Sequence, residues 1–240
     1  MRLDGKTVLV IGVGPGLGSA TAYMLLKDGA RVIMAARSEE RLREIRKVLS
    51  KYGNVDYVVG DASGQSGARK IVEEARKKAG RIDHLALLAG NYVDSPIENL
   101  TEEQLDGMIN ANLKSPIYAL NAAVKDLGQG SSVVMVSSVF GTYATSTGNV
   151  AYSSTKAGVA KAVEVLASEL SGRGIRVNAV APRAMDHDFV PERDWRSKRK
   201  LGGKSCPPED VAKVVVWLMS DESEWVDGAV IPVDGGARKG

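Results

Sequence analysis

Cysteine occurs once in the 240 residues, as Cys206, and histidine only twice, as His84 and His187. A single thiol excludes an internal disulfide framework and a thiolate metal cluster, and two imidazoles give little basis for a catalytic metal. No metal site is therefore expected. No apolar run is long enough to span a bilayer, and the short run 8–13 leads straight into glycines, with Arg2 and Asp4 ahead of it. Neither a signal peptide nor a membrane partner is expected, and the location predicted is cytoplasmic. A concentrated basic stripe is missing as well: 32 basic and 29 acidic residues are spread along the chain, for a net charge of +3. That distribution argues against a nucleic-acid partner. At 44% apolar composition, the length suits one large domain spanning residues 1–240.

Residues 6–11 (Lys-Thr-Val-Leu-Val-Ile) read as a continuously apolar strand, the kind buried on both faces of a parallel sheet. Gly12-Val-Gly14-Pro-Gly16-Leu-Gly18 follows at once. Glycines let the backbone turn sharply and approach a pyrophosphate, whose charge meets free N–H groups at the start of a helix running to about Lys27. Strand-like and helix-like segments then alternate. Strands are predicted at 31–36, 55–59, 82–88, 131–137, 175–180 and 229–233, and helices at 38–50, 65–79, 101–127, 151–171 and 208–220. Seven strands alternating with helices predict an α/β fold with a doubly wound parallel sheet of the Rossmann type. Ser38 is a helix cap followed by Glu39 and Glu40, Thr101 and Gln104 form a capping box, and Pro208 suits a first helical position.

Chemistry is expected in the stretch 138–156, Ser-Val-Phe-Gly-Thr-Tyr-Ala-Thr-Ser-Thr-Gly-Asn-Val-Ala-Tyr-Ser-Ser-Thr-Lys. If Tyr152 opens a helix, Lys156 lies one turn on along the same face, so an ammonium sits near a phenol. A free tyrosine has a pKa of about 10, and a nearby cation and the positive end of a helix both favour phenolate. Tyr152 is therefore expected to exchange protons near neutral pH, with Ser138 supplying a hydroxyl from the loop after a strand. The pair alone is weak evidence, because Tyr23 and Lys27 share its spacing and need no explanation beyond packing. A serine fourteen residues upstream and the glycine-rich turn set Tyr152 apart.

Taken in order, these residues resemble the short-chain dehydrogenase/reductase family over essentially the whole chain. The resemblance rests on Gly12, Gly16 and Gly18, Asp61 after the third strand, Ala89-Gly90 after the fourth, and Asn112. It continues with Ser138, Tyr152 with Lys156, Asn178 and Pro182, and Val233-Asp234-Gly235-Gly236 near the end. It implies a reversible NAD(P)-dependent interconversion of a ketone and a secondary alcohol. Tyr152 would be the proton donor and acceptor, Ser138 would hold the substrate oxygen, and Lys156 would contact the nicotinamide ribose and lower the tyrosine pKa. Asn112 would maintain a water-linked proton path. The cofactor contacts it implies are Gly12, Gly14, Gly16, Leu17, Gly18, Asp61, Ala62, Ala89, Gly90 and Met185, together with Tyr152 and Lys156. At the end of the second strand NAD-dependent relatives carry an acid, whereas this chain has Ala36 and then Arg37. Arg37 can pair with a 2′-phosphate, so NADP(H) is the cofactor expected, ahead of NAD.

The chain departs from the family pattern in places. Ile11 stands where threonine is usual, Leu87-Leu88 replace Asn-Asn, Arg183 replaces a glycine, and His187 takes the place of a threonine near the nicotinamide carboxamide. Arg183 and His187 therefore bear on how the cofactor is enclosed, while His187 is left out of catalysis. A substrate lid is expected at about 183–208, mobile without ligand. From Arg183 to Lys204 it carries seven basic and four acidic residues, read either as a solvated face or as attraction for an anionic substrate. Trp195, Trp217 and Trp225 read as packing residues, with Trp195 alone considered for substrate contact. Apolar stripes on the helices at 101–127 and 151–171 face the sheet, and the resemblance implies that both also pair in a homodimer or homotetramer. Two alternatives to a general carbonyl reductase are a 3-oxoacyl thioester reductase of the acyl-carrier-protein type and a non-catalytic dinucleotide-binding regulatory protein. Against the first, similar reductases tend to be basic where this chain has Gln129.

Overall fold

Alternate residues of the first strand point to opposite faces, and each face is apolar, so the strand is buried from both sides. In the computed structural model, which describes residues 1–145 and 147–237, this strand is β1 (Thr7–Ile11). Ser146, within the stretch 138–156, and the last three residues of the expected domain lie outside the described residues. Leu9 and Ile11 enter one apolar cluster, with Ile71, Leu120 and Val163, while Val8 and Val10 enter a second, with Leu25, Leu42 and Val215.

The chain continues through α1 (Leu17–Lys27), β2 (Arg31–Ala36), α2 (Glu39–Leu49), β3 (Val55–Val59), α3 (Gln65–Ala79) and β4 (His84–Leu87). Next come α4 (Glu102–Met108), α5 (Ser115–Ala123), β5 (Ser132–Val136), α6 (Val139–Thr142), α7 (Val150–Leu170) and β6 (Arg176–Pro182). Two short strands, β7 (Ala184–Met185) and β8 (Ser205–Cys206), pair with each other, and α8 (Pro208–Met219) leads to β9 (Val230–Val233). The main sheet is seven-stranded in the order β3-β2-β1-β4-β5-β6-β9, and every pairing in it is parallel. The order reverses between β1 and β4, which opens a crevice at the carboxyl ends of those strands. Gly12 turns the chain there with φ +98°, and a Cβ on it would lie 2.3 Å from the Ala89 nitrogen, so only glycine fits against the end of β4.

Local signals and structure agree at several boundaries. The Ser38 hydroxyl accepts from the Arg41 N–H, the Thr101–Gln104 capping box is formed in both directions, and Pro208 is the first residue of α8. The two departures Ile11 and Leu87 are 3% and 2% exposed, so apolar packing occupies positions where the family carries polar groups.

Two expectations are corrected. The helix predicted over 101–127 is two helices, α4 and α5, joined by a π-helical turn at Ile109–Lys114. Pro116 accounts for the widening: it has no N–H, and its ring would collide with the carbonyl of Asn112 in a regular α-helix. The second correction is Trp225, which is 98% exposed, whereas Trp195 is buried and Trp217 lies against the second apolar cluster.

At the opposite end of the sheet from the crevice, His84 begins β4 at 2% exposure. Its Nδ1 accepts from the Ser132 N–H on β5 at 3.0 Å, so the proton resides on Nε2, which has no partner among the described residues. Burial lowers its pKa from 6.5 to about 4, against a partial upward pull from Asp83. Because the folded state resists protonation, the stability held above pH 6.5 is lost as pH falls through that window. Unfolding free energy should drop by about 2 kcal/mol between pH 7 and pH 4.5 from this group alone. His84→Asn keeps an acceptor for Ser132 and should flatten that part of the profile in urea titrations; an unchanged slope would refute the assignment.

Candidate active site

Glycine 16 caps α1 without a side-chain hydrogen bond, and no acid occupies the helix's first turn. The N–H groups there are left to meet an anion, helped by the helix dipole. Beside this turn a groove of about 690 Å³ runs across the crevice. Gly12, Gly14, Arg37, Asp61, Ala62, Ala89 and Gly90, all anticipated from the sequence, line it. Gly16 and Leu17 form the helix start beside the groove, and Gly18 is packed against Val13. Met185, in β7, is half-buried against the second apolar cluster and does not line the groove. Ser38, Arg41 and Asn110 line it too and were missed by the sequence reading, although Ser38 and Arg41 were visible as a cap and its first turn.

Asp61 is the groove's acid, and it is already committed. Its carboxylate accepts from the Ser63 N–H at 2.9 Å, a bond that, with the Arg37 guanidinium, holds its pKa below the ordinary carboxylate value. Arg37 itself is exposed at the end of β2, where no acid stands. Hydrogen-bond donors at the helix start and two arginines at the far end suit a dinucleotide bearing a 2′-phosphate.

The groove leads from Gly90 to a buried polar knot. Asn112, widened out of its helix by Pro116, is 1% exposed. Its Oδ1 accepts from the Asn91 N–H at 2.8 Å, and its Nδ2 donates to the Asn91 carbonyl at 3.0 Å and to Thr155 Oγ1 at 3.2 Å. One amide thereby ties the loop after β4 to α7. A Cβ at Gly90 would stand 2.9 Å from Asn112 Oδ1 and 3.2 Å from Lys156 Nζ, so the backbone must be bare there.

Tyr152 and Lys156 lie in the first two turns of α7, as their spacing predicts, and Ser138 caps α6 directly after β5. Ser138 Oγ donates to the Pro182 carbonyl at 3.3 Å, accepts from the Phe140 N–H, and lies near enough to the Tyr152 phenol to act on its acidity. Lys156 is 3% exposed and its Nζ donates to the Val136 carbonyl at 2.9 Å. The Tyr92 ring meets the Tyr152 ring edge-on, with centroids 5.0 Å apart.

The electrostatics correct one expectation. The phenol is held above the ordinary tyrosine value, chiefly by burial and further by Tyr92, with the Ser138 hydroxyl pulling the other way. Lys156 does not lower it, because Nζ is engaged by the Val136 carbonyl and lies 5.8 Å from the ring centroid. Burial instead lowers the lysine's own pKa to about 8. At neutral pH this arrangement holds a protonated phenol beside a serine hydroxyl, which suits giving a proton to an oxygen placed between them.

The lid segment is more tied down than its composition suggests. Phe189 donates its N–H to the Pro15 carbonyl and stacks near Tyr23, and exposed His187 passes beside Gly16. Arg193 grips Glu209 of α8 with two hydrogen bonds, of 2.5 and 2.8 Å, and Glu209 is 1% exposed. Arg199 pairs with Asp210, and Trp195 is covered by Arg196, Arg199 and Lys213. Part of the segment's basic charge therefore serves its own docking onto α8.

Comparison with known proteins agrees with the fold. Residues 12–238 match the family model described as Enoyl-(Acyl carrier protein) reductase. The 3-oxoacyl-(acyl-carrier-protein) reductase FabG of Thermotoga maritima is 38% identical, over 98% of this chain and 99% of that protein. A hexahydroindene-carboxyl-CoA reductase of Mycobacterium tuberculosis is 32% identical over 96% of this chain and 92% of its own. Among solved structures, a short chain dehydrogenase from Burkholderia cenocepacia in complex with NADP superposes with a TM-score of 0.89 at 28% identity, covering 99% of both chains.

The Arg193–Glu209 pair yields a direct test. Arg193→Leu leaves a carboxylate buried without its partner, a change that typically costs about 3–5 kcal/mol. Trypsin should then cut between Arg196 and Lys204 at least tenfold faster than in the unmodified protein, and Glu209→Gln in the same chain should restore most of the resistance. Equal cleavage rates in all three proteins would show that the pair does not hold the segment.

Proposed function

This chain belongs to the short-chain dehydrogenase/reductase family and is an oxidoreductase, and from that premise we propose that it reduces a ketone to a secondary alcohol, reversibly, with NADPH. The observation that carries the reading is the half-buried Tyr152 phenol, held protonated beside Ser138 and one helical turn from buried Lys156. NADPH supplies the hydride when bound. Ser138 holds the substrate oxygen, and Tyr152 gives that oxygen its proton. Lys156 would hold the nicotinamide ribose and, as a cation there, would favour the phenolate left once Tyr152 has given up its proton. Asn112 keeps the loop at Asn91 and the start of α7 in register, so the donor and the groove stay aligned. Gly12, Gly14, Gly16, Leu17 and Gly18 would hold the pyrophosphate, and Asp61, Ala62, Ala89 and Gly90 would border the rest of the dinucleotide, with Met185, also expected as a cofactor contact, lying outside the groove.

The segment 183–208 serves as the substrate lid, hinged about its Arg193 anchor. The chain works in the cytoplasm as a homodimer or homotetramer, a reading supported by Ile117 on α5 and Val165 on α7, which are exposed at 38% and 54%. A second reading, reduction of a 3-oxoacyl thioester, is supported by the similarity to the Thermotoga reductase. A purely regulatory dinucleotide-binding role would leave the Ser138–Tyr152–Lys156 arrangement without a purpose. A spectrophotometric screen of NADPH oxidation against diketones, 3-oxoacyl thioesters, sugars and steroid ketones separates these readings.

Tyr152→Phe removes only the proton donor. It should leave the fold and NADPH affinity nearly intact while lowering kcat by several orders of magnitude. A variant retaining more than about a tenth of the rate, with chemistry limiting turnover, would displace Tyr152 from this role.

Cofactor choice tests Arg37. If its pairing with the 2′-phosphate contributes roughly 1.5–3 kcal/mol, NADPH should be preferred over NADH by about tenfold to a hundredfold in kcat/KM. Arg37→Ala should erase most of that ratio and leave the NADH reaction almost unaltered; equal use of both cofactors by the unmodified protein would sink the assignment.

A further inference from the structure

Arg183 does not reach into the nucleotide groove; it lines a separate cavity of about 500 Å³ on the far side of Ser138. The walls of this cavity include Val139, Phe140, Thr142, Thr145 and Ala237. Ser138 and Pro182 are hydrogen-bonded to each other, and Val139 and Arg183 are the next residues along their two chains. The cavity therefore begins one residue beyond the serine that is read as holding the carbonyl oxygen. Arg183 is the only charged residue among its described lining. Its Nη1 donates to the Ala237 carbonyl at 2.8 Å, which fixes the side chain in place. Among the described residues no carboxylate forms an ion pair with it. A guanidinium has five N–H donors in a planar fork, so one bond to a carbonyl leaves an edge able to take both oxygens of a carboxylate. Phe140 and the two threonines border the same cavity, whose exposed lining is mostly polar.

We propose that Arg183 and this cavity form an anion subsite that selects ketones carrying a carboxylate, with the acid seated on the guanidinium and the carbonyl at Ser138. The proposal rests on the oxidoreductase reading for the placement of the carbonyl. Arg183 is then a specificity-determining residue, not a group that takes part in the proton transfer.

The probes are the oxo acids from 4-oxopentanoate to 7-oxooctanoate and their methyl esters, titrated calorimetrically into the protein loaded with NADP⁺, where no turnover takes place. At least one acid should bind ten times or more tightly than its own ester. Arg183→Gln should weaken that acid at least tenfold and the ester less than twofold, and Arg183→Lys should recover part of the difference. Thermal melts check that each variant is folded, and the lysine variant decides the matter if the glutamine variant is not. Equal affinity for acid and ester along the whole series, no binding of any acid, or an equal loss for both forms in the glutamine variant would overturn the subsite. NADPH oxidation is read separately. Acids that bind through Arg183 without being reduced would sink the ketone-reductase reading and leave the subsite standing, whereas esters reduced as well as acids would do the reverse.

Discussion

The close docking of α7 onto the end of β5 is the contact on which the remaining site geometry depends. A Cβ at Gly141 would lie 2.6 Å from the Lys156 backbone carbon, so the short α6 can touch α7 only because that position is bare. Ser137 Oγ donates to the Lys156 carbonyl at 2.8 Å, and Lys156 Nζ returns a bond to the Val136 carbonyl. These groups are buried, so each bond lost would leave an unpaired polar atom away from water. The phenol, the ammonium and the serine hydroxyl are thereby fixed relative to the sheet before any ligand arrives, which is the preorganisation that proton transfer requires.

That docking has an electrostatic consequence. Enclosing Lys156 disfavours its charge and enclosing Tyr152 disfavours phenolate, so the two groups are pushed towards neutrality together. The ligand-free site is thus set for a protonated phenol, and its acidity depends on what later fills the groove beside it. Asn112 holds the opposite wall through Asn91 and Thr155, and the π turn that carries it follows from a single proline one turn later.

Charge on the lid has two separate uses. Arg193 and Arg199 are paired to acids of α8, whereas Arg183, at the root of the segment, faces a cavity beside the chemistry. Net charge counted along the sequence merges these cases, because pairing depends on which acids the fold brings near.

Much was legible before the fold was known. Continuous apolar strands, the glycine turn, the helix caps and the Tyr152–Lys156 spacing are local properties, and local sterics and periodicity decide them. The sheet type, the groove lined by Gly12, Arg37, Asp61 and Gly90, and the meeting of Ser138 with Tyr152 all lay within reach of the sequence, aided by family resemblance for the order of motifs. What the tertiary structure alone decided depends on burial and on partners distant along the chain. The phenol's upward shift comes from enclosure, not from its neighbouring lysine, whose ammonium is claimed by a carbonyl of β5. Arg193 found Glu209 sixteen residues away, and Arg183 turned towards the C-terminal end of the chain instead of the nucleotide. Trp225 stayed in solvent although its composition suggested packing, because an apolar side chain shows its size in the sequence but not which surface the fold leaves next to it.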